Sequence, residues 1–244
     1  MLSDPLKALH NDIVELLASE GAKTPYKADA NEPDPRYFSY GVRAPQVQAV
    51  IKCFKPRFGG LELEQRILLA KRLIESAYGE QQTVALHLLE RSVDYFPPDK
   101  FAEVDQIVRR LYGWSKVDSY TGSFLRTLLE THPKPLLKLV RAWNADADPW
   151  PRRASVVLFT RKVARSGLYT DTALRLCDKL KHAPEDLVRK GVGWCLKDLM
   201  RHDKARILPY VKSLREQGVS STITLYALRD LKGKERDEAL AAGP

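Results

Sequence analysis

The sequence predicts an all-α protein of paired helices stacked as repeats, and three observations carry that prediction. Apolar residues recur at three- and four-residue spacing in segment after segment, while strand-type alternation is hard to find. These segments have the ordinary length of globular helices, roughly 10 to 20 residues, and are separated by Gly, Pro or charged turns without an internal linker. Conspicuous side chains then return at a spacing near 40 residues, about the period of two-helix HEAT and armadillo repeats. The expected architecture is a single domain, residues 1 to 244, of HEAT-like helical repeats winding into a curved superhelix.

In chain order, LKALHNDIVELLAS is an amphipathic helix stopped by Gly21. AKTPYKADANEPDPRYFSYGVRA, with its prolines among polar residues, is a long loop, and Pro45 opens PQVQAVIKCF as the next helix. LELEQRILLAKRLIES follows, then GEQQTVALHLLERSVDYF up to Pro97 and Pro98, with Glu80 as a helix-start acid. DKFAEVDQIVRRLY, WSKVDSYTGSFLRTLLETH, PLLKLVRAW and WPRRASVVLFTRKVARSG each show helical spacing, as do DTALRLCDKLKHA, PEDLVRKGVGWCLKDLMRH, KARILPYVKSLREQG and STITLYALRDLKGK. Trp143 and Trp150 are assigned to packing, as are Gly191 and Gly193, which permit close helix approach.

Composition narrows function. The 244 residues are 44% hydrophobic, enough for a sizeable core, and no apolar run approaches the roughly 20 residues that span a bilayer. The amphipathic, acid-containing start is unlike a signal sequence, so a cytoplasmic protein is expected, without membrane contact. Cys53, Cys177 and Cys195 lack C-x-x-C spacing and are read as buried thiols, with neither disulfide framework nor metal site. Charge is uneven: residues 1 to 100 hold 13 Lys and Arg against 14 Asp and Glu, whereas residues 101 to 244 hold 27 against 17. A cationic surface confined to the later part of the chain fits a partner rich in phosphate, and equally a merely soluble basic surface.

Trp114 and Asp118, in YGWSKVDS, are four residues apart and project side by side from a helix. Arg153 lies 39 residues after Trp114 and Trp194 another 41 on, at nearly equivalent places in successive repeats. Equivalent places in a curved solenoid line one surface, commonly the concave one, where the four side chains converge on one ligand. No H-E-x-x-H, no G-x-S-x-G and no phosphate-cradling loop is present, which leaves metal, triad and nucleotide chemistry without support. Electron-rich indoles and a carboxylate stabilise a positive centre, as in glycosidic cleavage through an oxocarbenium-like cation, and an arginine holds phosphate. Each residue keeps a plain alternative: Trp194 among Val192, Leu196 and Leu199 also fits a core, and Arg153 also fits a surface pair with Asp146 or Asp148. Arg152, Arg189, Lys190, Lys197 and Arg201 also fit a solvated basic face.

The segments W114SKVD, W150PRRASVVLF and R189KGVGWCLK, with YGVRAP and GEQQTVALHLLE upstream, resemble the AlkD-like DNA alkylation-repair glycosylases in order and spacing over residues 36 to 230. The resemblance implies a HEAT-like superhelix that holds duplex DNA and removes N3- or N7-alkylated purines; no cofactor is expected, and a solenoid that encloses DNA has no obvious need for a partner subunit. On matching positions, Asp118 would stabilise the sugar cation and position water, Trp114 and Trp194 would pack on the deoxyribose, and Arg153 would grip the backbone. Arg152, Arg189, Lys190 and Lys197 would contribute phosphate contacts, and Tyr37 or Tyr40 would approach the lesion. Gly113 stands where many relatives carry a second tryptophan, and paired arginines after Pro45 are absent. A protein bound to the nucleoid through DNA is expected. The competing class is a non-catalytic HEAT-repeat module that binds damaged or branched DNA.

Overall fold

Apolar stripes at helical spacing fold as expected. The computed structural model describes residues 3–23 and 34–243. The first seven helices are α1 (Asp4–Lys23), α2 (Ala44–Gly59), α3 (Leu63–Glu75), α4 (Gly79–Glu90), α5 (Phe101–Val108), α6 (Trp114–Tyr120) and α7 (Arg126–Thr131). They are followed by α8 (Pro133–Asn144), α9 (Pro149–Val157), α10 (Arg161–Ser166), α11 (Thr170–Leu180) and α12 (Asp186–Met200). The last three are α13 (Lys204–Glu216), α14 (Ser221–Ala227) and α15 (Gly233–Ala241). Short 3-10 turns cover Val93–Tyr95 and Pro98–Lys100. The only extended pairing among the described residues is an isolated bridge between Phe38 and Tyr78.

The chain divides into two compact units, Met1–His132 and Pro133–Pro244. In the first, α1 packs on α2 and α3, α4 packs on α2 and α3, and α6 packs on α4. Helix α1 buries Leu6, Leu9, Ile13, Leu17 and Gly21, one stripe at three- and four-residue steps. Gly21 does not stop this helix, which runs on to Lys23. A Cβ at Gly21 would lie 2.3 Å from the Tyr40 carbonyl oxygen, so the glycine serves a close approach of the 34–43 segment. Residues 24–33 of the proline-rich loop lie outside the described residues, whereas 34–43 is non-helical as expected.

The second unit shows the pairing that the period implied. Helix α8 packs on α9, α11 on α12 and α13 on α14; the second members α9, α12 and α14 pack in sequence, with α12 central. Trp143 and Trp150 are fully buried, as assigned. Gly193 explains how α14 comes so close to α12: a Cβ there would meet Tyr226 Cβ at 2.7 Å and Ile223 O at 2.8 Å. Two elements differ from expectation. WPRRASVVLFTRKVARSG is not one helix but α9 and α10, broken at residues 158–160, and α15 adds a helix whose polar surface concealed it. Only Ala239 of α15 is buried, so it has almost no apolar stripe to read.

Gly193→Ala forces backbone apart from backbone and is expected to destabilise the fold by about 1–3 kcal/mol in urea denaturation. Gly59→Ala, with nothing within 4 Å of the added methyl, serves as the control and should not lower the midpoint. Equal midpoints for the two variants would contradict the close-approach role.

Candidate functional site

The first unit presents the tryptophan and the acid together. Gly113 adopts φ +89° just ahead of α6, a conformation that L side chains rarely take, and turns the chain so that Trp114 becomes the first helical residue. Gln82, on α4, accepts a hydrogen bond at 3.3 Å from the Tyr112 amide and so ties this turn to the helix beneath α6. Arg36 lies 4.4 Å over the Tyr112 ring and is itself held by Asp34. One helical turn after Trp114 comes Asp118. The indole is 42% exposed and the acid only 6%, so an open aromatic adjoins a carboxyl kept almost out of water.

The helix then changes character. Thr121–Leu125 is a π-turn, and α7 continues from Arg126. Such single-turn widenings interrupt the ordinary hydrogen-bond ladder and are frequent at functional sites. The Thr121 hydroxyl donates to the Asp118 carbonyl at 3.1 Å, which fastens the acid's own backbone at the start of the widening. Tyr120 stacks on Phe124, ring centroids 4.9 Å apart, and its hydroxyl is buried without a hydrogen-bond partner. Burial pushes that phenol well above its usual pKa. The spacing of WSKVDSYTGSFLRTLLETH predicts plain helix here, because a π-turn leaves no composition signal.

Glu80 has a larger structural part than a helix-start acid. It is buried and accepts hydrogen bonds from Ser39 Oγ at 2.7 Å, from the Val42 amide at 3.1 Å and from the Tyr40 amide at 3.2 Å. It thereby fixes the segment that carries the candidate tyrosines. Tyr40 stacks on Tyr78 at 4.2 Å, and its hydroxyl accepts from Gln81 at 2.6 Å. Burial raises the Tyr40 phenol, opposed by the Gln81 bond. Tyr37 packs its ring end over Gly79, where a Cβ would fall 2.0 Å from the hydroxyl. Both tyrosines are half-buried, and Phe38 between them is 51% exposed.

In the second unit the expected residues have different fates. Trp194, on α12, is half-buried, and the Arg161 guanidinium lies 4.9 Å over its ring. Arg153 is 6% exposed; its Nη1 donates to the Leu187 carbonyl at 2.6 Å, and the side chain lies against Gly191. It clamps α9 to the start of α12. Arg152 is ion-paired with Glu185, and half-buried Arg189 donates to the Ala183 carbonyl at 2.7 Å. Lys190 is exposed and pairs with Asp186 at 2.8 Å. Lys197 is buried, 3.3 Å from Asp198 and 5.8 Å from the Tyr226 ring centroid. Of the three thiols, Cys177 and Cys195 are buried as expected, whereas Cys53 is exposed, at a helix position that faces away from the α2 core. Among the described residues no group of three or more His, Cys, Asp or Glu could hold a metal ion, and no helix is long and apolar enough to cross a membrane.

An all-helical chain of packed helix pairs, with an acid and an indole on one helix face in the first unit and an indole under an arginine in the second, defines the class. The chain belongs to the DNA alkylation repair enzyme family, whose model matches residues 20–231. Among curated proteins none matches. Of solved structures, the chain is similar to one described as a predicted DNA alkylation repair enzyme from Enterococcus faecalis, with a TM-score of 0.68 and 17% identity. That likeness covers 80% of this chain and 89% of the other, and it concerns the fold.

Tyr120→Phe removes a buried hydroxyl that satisfies no acceptor, so folding stability should stay level or rise by up to about 1 kcal/mol in thermal or urea denaturation. A loss of that size instead would show that the hydroxyl has a partner in solution.

Proposed function

We propose that the protein is a monofunctional DNA glycosylase that hydrolyses the N-glycosidic bond of N3- or N7-alkylated purines in duplex DNA. Membership of a DNA alkylation repair family supports the substrate class. The observation that carries the chemistry is the open indole of Trp114 one helical turn from the nearly dry carboxyl of Asp118.

Departure of the base leaves positive charge on the deoxyribose. A carboxylate in a poorly hydrated place interacts with that charge more strongly than it would in water, and its position is fixed before the reaction begins. The indole face adds cation attraction and excludes water from one side of the sugar. Asp118 also accepts a hydrogen bond from the attacking water and aims it at the anomeric carbon. An N3- or N7-alkylated purine is already cationic, so it departs without the proton that a neutral base would need, and one acid suffices.

The second unit acts on the same duplex. Trp194 packs against the deoxyribose, Arg189 and Lys190 meet phosphates, and Arg152, Arg153 and Lys197 hold the helices that present them. Tyr37 or Tyr40 approaches the lesion from the segment fixed by Glu80. In this proposal the helix pairs act as HEAT-like repeats around DNA, as a monomer bound to the nucleoid in the cytoplasm, with no metal or other cofactor.

Duplex DNA carrying one N7-methylguanine should lose free base to the parent protein, with Asp118→Asn slower by on the order of 10²-fold or more at matched DNA occupancy. Base release unaffected by Asp118→Asn would remove the acid from the mechanism. Tight binding by both proteins without release of N7-methylguanine, N3-methyladenine or a bulkier adduct would leave a binding module instead.

A further inference from the structure

Arg161 stands at the break between α9 and α10, where the sequence reads as continuous helix. It adopts φ +53°, one of two positive values outside glycine among the described residues. L side chains seldom accept this region, and when they do, surrounding structure must hold them there, often for function. Here the holder is visible. The Arg161 amide donates to Asp198 Oδ2 at 2.8 Å, and Asp198 is only 3% exposed. The other oxygen of Asp198 lies 3.3 Å from both Lys197 Nζ and Arg201 Nη1, so this carboxylate is balanced by cations on α12 and just past its end.

The consequence is where the Arg161 side chain goes. Its backbone pinned, the guanidinium rests 4.9 Å over the Trp194 ring. That cation–π contact is its sole partner among the described residues. Several other basic groups of the unit are ion-paired: Arg152 with Glu185, Lys190 with Asp186, Arg206 with Asp171 and Lys204 with Glu235. Lys162 and Arg165, the other basic residues of α10, are exposed and likewise without a carboxylate partner among the described residues. A guanidinium held over an indole, exposed and without a hydrogen-bond partner for its side chain among the described residues, keeps N–H groups available, and a guanidinium edge matches two phosphate oxygens.

We propose that Arg161 is a phosphate-gripping residue for the reaction above, and that by stacking on Trp194 it also positions that indole against the lesion-bearing strand. It takes the backbone contact expected of Arg153, whose guanidinium is engaged at the Leu187 carbonyl. Lys162 and Arg165 extend the cationic edge along the same strand. The proposal rests on duplex DNA being the substrate.

The experiment uses the full chain with Arg161→Ala, Arg161→Gly and Arg161→Lys. The glycine variant removes the cation while suiting the positive φ, so it stays folded if the alanine variant does not. Binding to an undamaged duplex is measured across a salt series, with melting temperatures in parallel. Removal of one phosphate contact should lower the slope of log K against log salt by about 0.9 in the Ala and Gly variants, and Lys should restore it. Single-turnover release of N7-methylguanine at saturating protein should fall roughly 2- to 30-fold for Ala and Gly, the range of a lost cation–π contact. Lys, which keeps the charge but loses the planar stack, should restore the slope more fully than the rate. An unchanged slope in both the Ala and Gly variants, each melting near the parent, overturns the proposal even if base release is normal. A lowered slope in the Ala and Gly variants, with a parent protein that releases no base, upholds the phosphate contact and rejects the glycosylase reading alone.

Discussion

A carboxyl group held almost out of water is the constraint on which the rest depends. Moving an ionised acid from water into a protein is costly unless the surroundings compensate, and a chain keeps such a group where its charge is needed. Asp118 is kept there by several local arrangements. Gly113 starts α6 at the right residue, Gln82 fixes the preceding turn to α4, and the π-turn after Tyr120 begins where Thr121 caps the Asp118 carbonyl. On the same helix Tyr120 and Phe124 stack as a buried aromatic pair. Local backbone irregularity and apolar packing thus serve one end: an acid with little solvent, beside an indole with much.

The second unit meets a related demand differently. Its buried acid, Asp198, is neutralised by Lys197 beside it on α12 and by Arg201 just past the end of that helix, and it holds the Arg161 backbone amide. Arg153, Arg152 and Lys197 are likewise spent inside the unit, on Leu187, Glu185 and Asp198. Cations committed to protein partners build rigid helix contacts, whereas Arg161, Lys162 and Arg165 of α10 are exposed and have no carboxylate partner among the described residues.

Much of this was legible in the amino-acid order. Helical periodicity gave the all-α class and most element positions, because packed helix pairs need a stripe on each member. The four-residue spacing of Trp114 and Asp118 placed them on one face, and the assignments of Trp143, Trp150 and Gly193 to packing hold. What escaped is what periodicity cannot encode. Gly21 looked like a stop because glycine usually ends helices, yet it answers a carbonyl from residue 40. The break before Arg161 is imposed by Asp198, 37 residues away, so no local signal marks it. Exposure of a basic side chain also depends on which distant group folds against it: Arg153, named from the motif, is buried at the Leu187 carbonyl, while Arg161 is open.

The central claim is that the site stabilises a cation and supplies no proton to the leaving base. The most direct measurement compares single-turnover base release from duplexes bearing N7-methylguanine, N3-methyladenine and hypoxanthine at saturating protein. The two cationic bases should leave while neutral hypoxanthine stays attached, since its departure would need a general acid that the site does not provide. Release of hypoxanthine at a rate near that of the alkylated bases would contradict a cation-only mechanism and require a proton donor beside Asp118.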